Sequence, residues 1–88
     1  MEFEFDPKKA ATNLRKHGVS LTDAEPVFHD DRALTREDAD ANGEARFVTV
    51  GTDVLGRILT VCWTERGQAI RVISARLATQ AERKVYES

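Results

Sequence analysis

The last nineteen residues, "IRVISARLATQAERKVYES", string Arg71, Arg76, Arg83, Lys84 and Tyr86 along a chain whose net charge is −2. With His17 and the remaining arginines and lysines, these are the side chains most able to do chemistry, and the chemistry they suit is that of phosphate. Arginine stays charged and grips phosphate oxygens in pairs, while tyrosine donates to phosphate or stacks on a base. RNA cleavage by attack of the RNA's own 2′-hydroxyl needs a base for that proton, cations for the phosphorane and an acid for the 5′-oxygen. His, Glu, Tyr, Lys and Arg suffice for those roles, so neither a metal nor a cysteine nucleophile is required. Other chemistries have no residues to carry them. Cys62 is the sole cysteine and the two histidines stand apart, so no zinc spacing exists. A phosphate-binding glycine loop, a dinucleotide fingerprint and a nucleophile elbow are all missing. The adjacent residues His29, Asp30 and Asp31 read as a solvated loop rather than a metal site. No cofactor is expected.

Each candidate also has a plain structural reading. His17 precedes Gly18 at a helix end, where capping or packing competes with catalysis. Glu82 stands three residues after Thr79 and reads as a helix cap rather than a general base. Arg71 shares strand parity with Ala69, Ile73 and Ala75, which places its face outside the core or near a strand end. Arg76 can reach phosphate or form a salt bridge, and Tyr86 can pack its helix.

The elements that position these residues are legible from spacing. "FEF" after Glu2 reads as a short strand. Asp6 caps a helix with Pro7 at its first position, Ala10, Leu14 and His17 give its inward face, and Gly18 ends it. Ser20 with Asp23 opens a second, short or bent helix containing Leu21, Ala24, Val27, Phe28 and the awkward Pro26. A polar segment follows, with a short strand about Ala33–Arg36 and a turn at Asn42-Gly43. Three β-branched runs, residues 46–52, 57–65 and 69–76, form an antiparallel meander, and Thr79 starts a last helix of about nine residues. On the middle run Leu59, Val61 and Trp63 share one face. The expected fold is α+β in a single domain spanning residues 1–88: a small antiparallel sheet of three to four meander strands plus a short N-terminal strand, two N-terminal helices and one C-terminal helix.

Charge is partitioned. Residues 1–20 carry +1, residues 21–44 carry −6 and residues 45–88 carry +3, an asymmetry that can mark separate partner surfaces. The acidic, non-apolar start and the lack of a long apolar run point to a cytoplasmic protein without a membrane partner.

"FEFDPKKAATNLRKHGVSLTDAEPVF" followed by "RFVTVGTDVLGRILTVCWTERGQAIRVISARLATQAERKVYE" resembles the BrnT family of type II toxin–antitoxin toxins. The resemblance rests on D-P-x-K, "KHGVS", "GR" with "TERG", "IRVISAR" and "ER-x-x-Y", and covers nearly the whole chain. It implies a RelE-like fold and a metal-independent ribonuclease that cleaves RNA to arrest growth, with mRNA the expected substrate, whether free or on the ribosome. It also implies a BrnA-type antitoxin, a ribbon–helix–helix protein through which the complex reaches operator DNA. Carried over residue by residue, it implies catalytic roles for His17, Arg71, Arg76 and Tyr86 and RNA contacts for Lys16, Arg57, Arg66 and Arg83. Phe5 and Leu21 depart from the family's usual Trp and Phe, and Pro26 is unexpected. A non-catalytic module that forms a repressor complex with a DNA-binding partner is the alternative.

Overall fold

The computed structural model of the protein describes residues 2–38 and 44–88, so the Asn42-Gly43 turn lies outside the described residues. Strand β1 (Glu2–Glu4) leads into helix α1 (Pro7–His17), and a 3₁₀ segment (Leu21–His29) follows. Strands β2 (Leu34–Glu37), β3 (Arg46–Thr52), β4 (Ile58–Arg66) and β5 (Ala69–Leu77) then form a meander, and helix α2 (Gln80–Glu87) ends the chain. The sheet runs β1-β5-β4-β3-β2, antiparallel throughout except that β1 lies parallel to β5. The α+β expectation holds, with a four-stranded meander and the N-terminal strand added at its end.

The helix signals act as their chemistry dictates. Asp6 accepts from the Lys8 N–H with Pro7 at the first position, and Gly18 takes the left-handed conformation (φ 68°) that closes α1. Thr79 and Glu82 form the reciprocal capping box of α2. The second helix differs from expectation. It is a 3₁₀ helix, because its buried residues Leu21, Ala24 and Val27 recur every three positions and eclipse one another on one face, and because Pro26 removes a donor. Ser20 caps it, but the Asp23 carboxylate turns to Arg57 instead of back to the cap.

One face of the sheet is the core. Leu59, Val61, Val72 and Ala75 meet Val19, Leu21, Ala24 and Val27, all under 2% exposed. Phe3, Phe28, Trp63 and Phe47 extend this face as a row of edge-on and stacked rings. Gly51 lets the 3₁₀ segment approach, since a Cβ there would stand 2.9 Å from Val27 Cγ1.

Helix α1 is rotated from its expected setting. Leu14 is 53% exposed and the buried residue is Asn13. The reason is polar: β1 covers β5 only at Ala69, Ile70 and Arg71, and the β5 edge beyond needs partners. The Asn13 carboxamide supplies them, donating to Ala75 O (2.7 Å) and Val19 O (2.8 Å) and accepting from Ala75 N–H (3.1 Å). It serves as one further peptide of an absent strand.

A register shift between Cys62 and Trp63 leaves Ile73 as an extra residue on β5. This bulge inverts the side-chain alternation. Ile70 and Val72 face the core before it, and Ala75 does so after it. Arg71 and Arg76, of opposite parity, therefore emerge on the same outer face.

Helix α2 rests on that outer face through polar contacts. Glu82 accepts from Arg76 (2.8 and 3.1 Å) and from the Thr60 hydroxyl (2.9 Å), and Tyr86 bonds to Asp30 and Thr52. The Arg76 guanidinium foremost, with the cap N–H of Thr79 and the Thr60 hydroxyl, holds the Glu82 carboxyl down at about 2, against a desolvation cost in the other direction.

Two measurements test these anchors. Asn13→Ala leaves the Ala75 peptide and the Val19 carbonyl without partners and is expected to cost about 2–4 kcal/mol in urea unfolding; an unchanged midpoint would remove Asn13 from its central place. Because the folded Glu82 pKa lies below the ordinary 4.5, its contribution is complete above that value and is lost as pH falls from 4.5 toward 2. Amide exchange of α2 should accelerate in that window while β3–β5 stay protected, and Glu82→Gln should show the fast exchange already at pH 7.

Candidate functional site

The outer face is a grid set by the pairing register. Across its middle run Ser74, Cys62, Val48 and Arg36, one from each strand of the meander. Toward α2 the next outward row is Arg76, Thr60, Val50 and Leu34. On the other side lie Arg71, Thr64 and Arg46. Small hydroxyl and thiol side chains fill the centre, so the arginines are not walled off by bulk.

The meander thus brings Arg71 and Arg76 together on one face, with Arg46 in line with Arg71 across Thr64 and Arg36 on the edge strand β2. Arg71 is held by Glu4 of β1 (3.3 Å), and Arg76 by Glu82 of α2. Their positions opposite Thr64 and Thr60 place the two backbone attachments about 13 Å apart along the strand. They can flank an anion lying between them. Arg36 and Arg46 were missed in the sequence because each adjoins the acidic segment and neither belongs to a motif. Only the alternation of β3, extended to β2, carried a signal. Cys62 lies among these groups, and burial foremost, then the nearby Asp38 charge, raises its thiol pKa against the opposing influence of Arg46 and Arg36. Such burial disfavours the thiolate, the form in which a cysteine acts as a nucleophile.

The other sequence candidates are distributed. Lys16 and His17 line a groove of about 280 Å³ between α1 and Ser74 of the outer face. Arg66 is exposed at the end of β4, where the chain turns into β5. Arg83 is exposed on α2, 3.7 Å from Glu87. Arg57 is committed elsewhere: it joins Asp23 (2.8 Å) and Asp53 (2.7 Å), tying the β3–β4 turn to the 3₁₀ segment. Burial raises the Asp53 pKa, but hydrogen bonds from the Arg57 side chain and backbone outweigh that and hold it low.

Tyr86 is a latch. Its hydroxyl donates to Asp30 and meets Thr52 Oγ1 at 2.8 Å, and the Asp30 bond foremost raises its pKa. Asp30 also accepts from the Arg32 and Thr52 N–H groups, so the expected solvated loop at His29, Asp30 and Asp31 contains a hydrogen-bond hub. Burial raises the Asp30 pKa, and the Tyr86 and backbone hydrogen bonds more than reverse this. Between α2 and the sheet lies an apolar groove of about 420 Å³, lined by Leu34, Val48, Val50, Ala81 and Val85 among others.

Among the described residues no helix is long and apolar enough to cross a membrane. No curated protein sequence matches the chain. The crystal structure of the Brucella abortus ribonuclease toxin BrnT is similar at 27% identity and a TM-score of 0.70, over 91% of this chain and 99% of that one. Residues 5–82 match the family described as the ribonuclease toxin BrnT of type II toxin–antitoxin systems. With a RelE-like fold and a match over most of its length, the chain belongs to the BrnT family of type II toxin–antitoxin toxins.

Proposed function

We propose that this protein is a metal-independent endoribonuclease that cleaves RNA, mRNA in particular, on the outer face of its sheet. The observation that carries the reading is the β5 bulge at Ile73, which puts Arg71 and Arg76 on one face. An RNA phosphate between them meets a cation on either side. The 2′-oxygen attacks phosphorus, the bond to the 5′-oxygen breaks, and a 2′,3′-cyclic phosphate results. The guanidiniums stabilise the negative charge that builds on the phosphorane. His17, at the groove that shares Ser74, takes the role of proton transfer. Tyr86 and Glu82 support the site by holding α2, and Glu82, ionised down to about 2, is too weak a base to take the 2′-proton efficiently. Arg57 serves the turn, while Arg66 and Arg83 extend the cationic surface that RNA meets.

The partner in this reading is a BrnA-type antitoxin, which links the complex to operator DNA. The family's description as part of a toxin–antitoxin system supports the pairing. The apolar groove under α2 also favours a protein-binding function, and a purely non-catalytic module is the reading it would support if cleavage failed.

Cleavage of RNA by the purified protein in EDTA tests the enzyme directly. Arg71→Ala is expected to lower the rate at least about tenfold with α2 undisturbed. The Arg71→Ala/Arg76→Ala pair is expected to lower it by about 10²–10³, the usual effect of removing transition-state charge stabilisation. Parent-like cleavage by the double variant would reject these two residues, and no cleavage by the parent would favour the binding module.

A further inference from the structure

A cluster of cations without ion pairs among the described residues lies beside α1. Lys8, Lys9, Lys16 and His17 converge with the hydroxyls of Thr12 and Ser74 on one groove, and no carboxylate lines it. None of the three lysines forms an ion pair among the described residues, whereas Arg71 and Arg76 are each joined to a glutamate. Two of these lysines also stand where helix stability would not put them. Lys8 and Lys9 occupy the first turn of α1, which contains no acidic residue, and the positive end of a helix disfavours cations there. The Asp6 carboxylate caps that helix end, and both lysines are exposed beside it at the groove.

The groove is continuous with the sheet. Ser74 lines it and also begins the row that crosses the outer face through Cys62 and Val48 to Arg36. Lys8 and Lys16 are eight residues apart on α1, a span of about 12 Å, long enough for more than one phosphate of an extended strand. Three flexible ammonium groups with two hydroxyls suit a chain of phosphates without reading its bases.

We infer that the α1 groove is a phosphate-binding subsite for single-stranded RNA, formed by Lys8, Lys9 and Lys16 with Thr12 and Ser74, which leads the strand onto the sheet face. The inference rests on the RNA reading above and concerns binding rather than bond cleavage. A 2′-O-methylated RNA oligonucleotide, which lacks the attacking hydroxyl, is the probe, and its Kd is measured against salt concentration. The Lys8→Gln/Lys9→Gln/Lys16→Gln variant should bind more weakly at low salt by at least tenfold. Its log Kd against log salt should be shallower by about 2 units, at roughly 0.7 for each phosphate no longer neutralised. Lys16→Gln alone should shift the slope by about 0.7, which keeps the test readable if the triple variant melts early. Arg32→Gln, a cation removed at the opposite edge of the sheet, should leave the slope unchanged. A triple variant with the parent's slope and affinity overturns the subsite, as does a parent that does not bind the oligonucleotide. Cleavage of unmodified RNA is scored separately: binding through the lysines without cleavage defeats the enzyme and keeps the subsite, and cleavage with an unaltered slope does the reverse.

Discussion

The pairing of the Asn13 carboxamide with the Ala75 peptide is the interaction on which the arrangement turns. β5 is bordered on one side by β4 for its whole length, but on the other by β1 for only three residues. The backbone groups beyond that short cover need partners, because a buried peptide without them costs about 1–3 kcal/mol per group. A side-chain amide has an accepting oxygen and two N–H donors, so Asn13 can pair with both groups of the Ala75 residue as a strand would and still reach Val19. That choice draws α1 to the rim of the sheet, with Val19 joined by the same amide. The consequence is an outer face that α1 leaves clear and α2 covers only in part, with the lysine side of α1 bordering it.

The acidic residues explain why a chain of net −2 can present positive surfaces. Glu4 meets Arg71, Glu82 meets Arg76, Asp23 and Asp53 share Arg57, and Asp30 gathers Tyr86 with two backbone N–H groups. Each carboxylate has a local structural role in a turn, a cap or a clasp. Several are at least partly desolvated, and their hydrogen bonds offset that cost. Cations without such partners include those of α1 and of the outer face, so the charge a ligand meets there differs in sign from the charge of the whole chain.

Most elements were legible in the sequence because their signals are local. Pro7 after Asp6, Gly18, the Thr79–Glu82 box and the β-branched runs each act over a few residues. The inward face of β4, with Leu59, Val61 and Trp63, followed from simple alternation. What escaped was set by contacts distant in sequence. Asn13 looks like a polar helix residue until Ala75, 62 positions away, is placed beside it. The bulge at Ile73 puts an ordinary β-branched residue where none of the usual signs of a bulge appear, so the parity of Arg71 argued only weakly for an outer position and that of Arg76 not at all. Resemblance, rather than spacing, selected those two arginines, and it also selected Arg57, whose guanidinium is committed to two aspartates. Arg36 and Arg46 became visible only through the register of β2 and β3.

The outer face also shows how so small a domain can keep a surface open. A chain of this size buries only about 60–65% of its unfolded surface, so one apolar layer must stabilise both faces of the sheet. The inner face carries that layer. The outer one is kept ordered by Thr60, Thr64 and Ser74, short side chains suited to strands, and by α2, which adds no fully buried residue of its own. The sheet's two margins are handled separately: Asn13 and β1 occupy the β5 side, and the β2 side is a four-residue strand with Thr35, Arg36 and Glu37 exposed, a short charged edge that discourages pairing with other chains. With both margins managed and the core on one side, the remaining face is free to hold arginines that a buried sheet would exclude. Its chemistry therefore follows from where the core is, and the core's place follows from where α1 is tied.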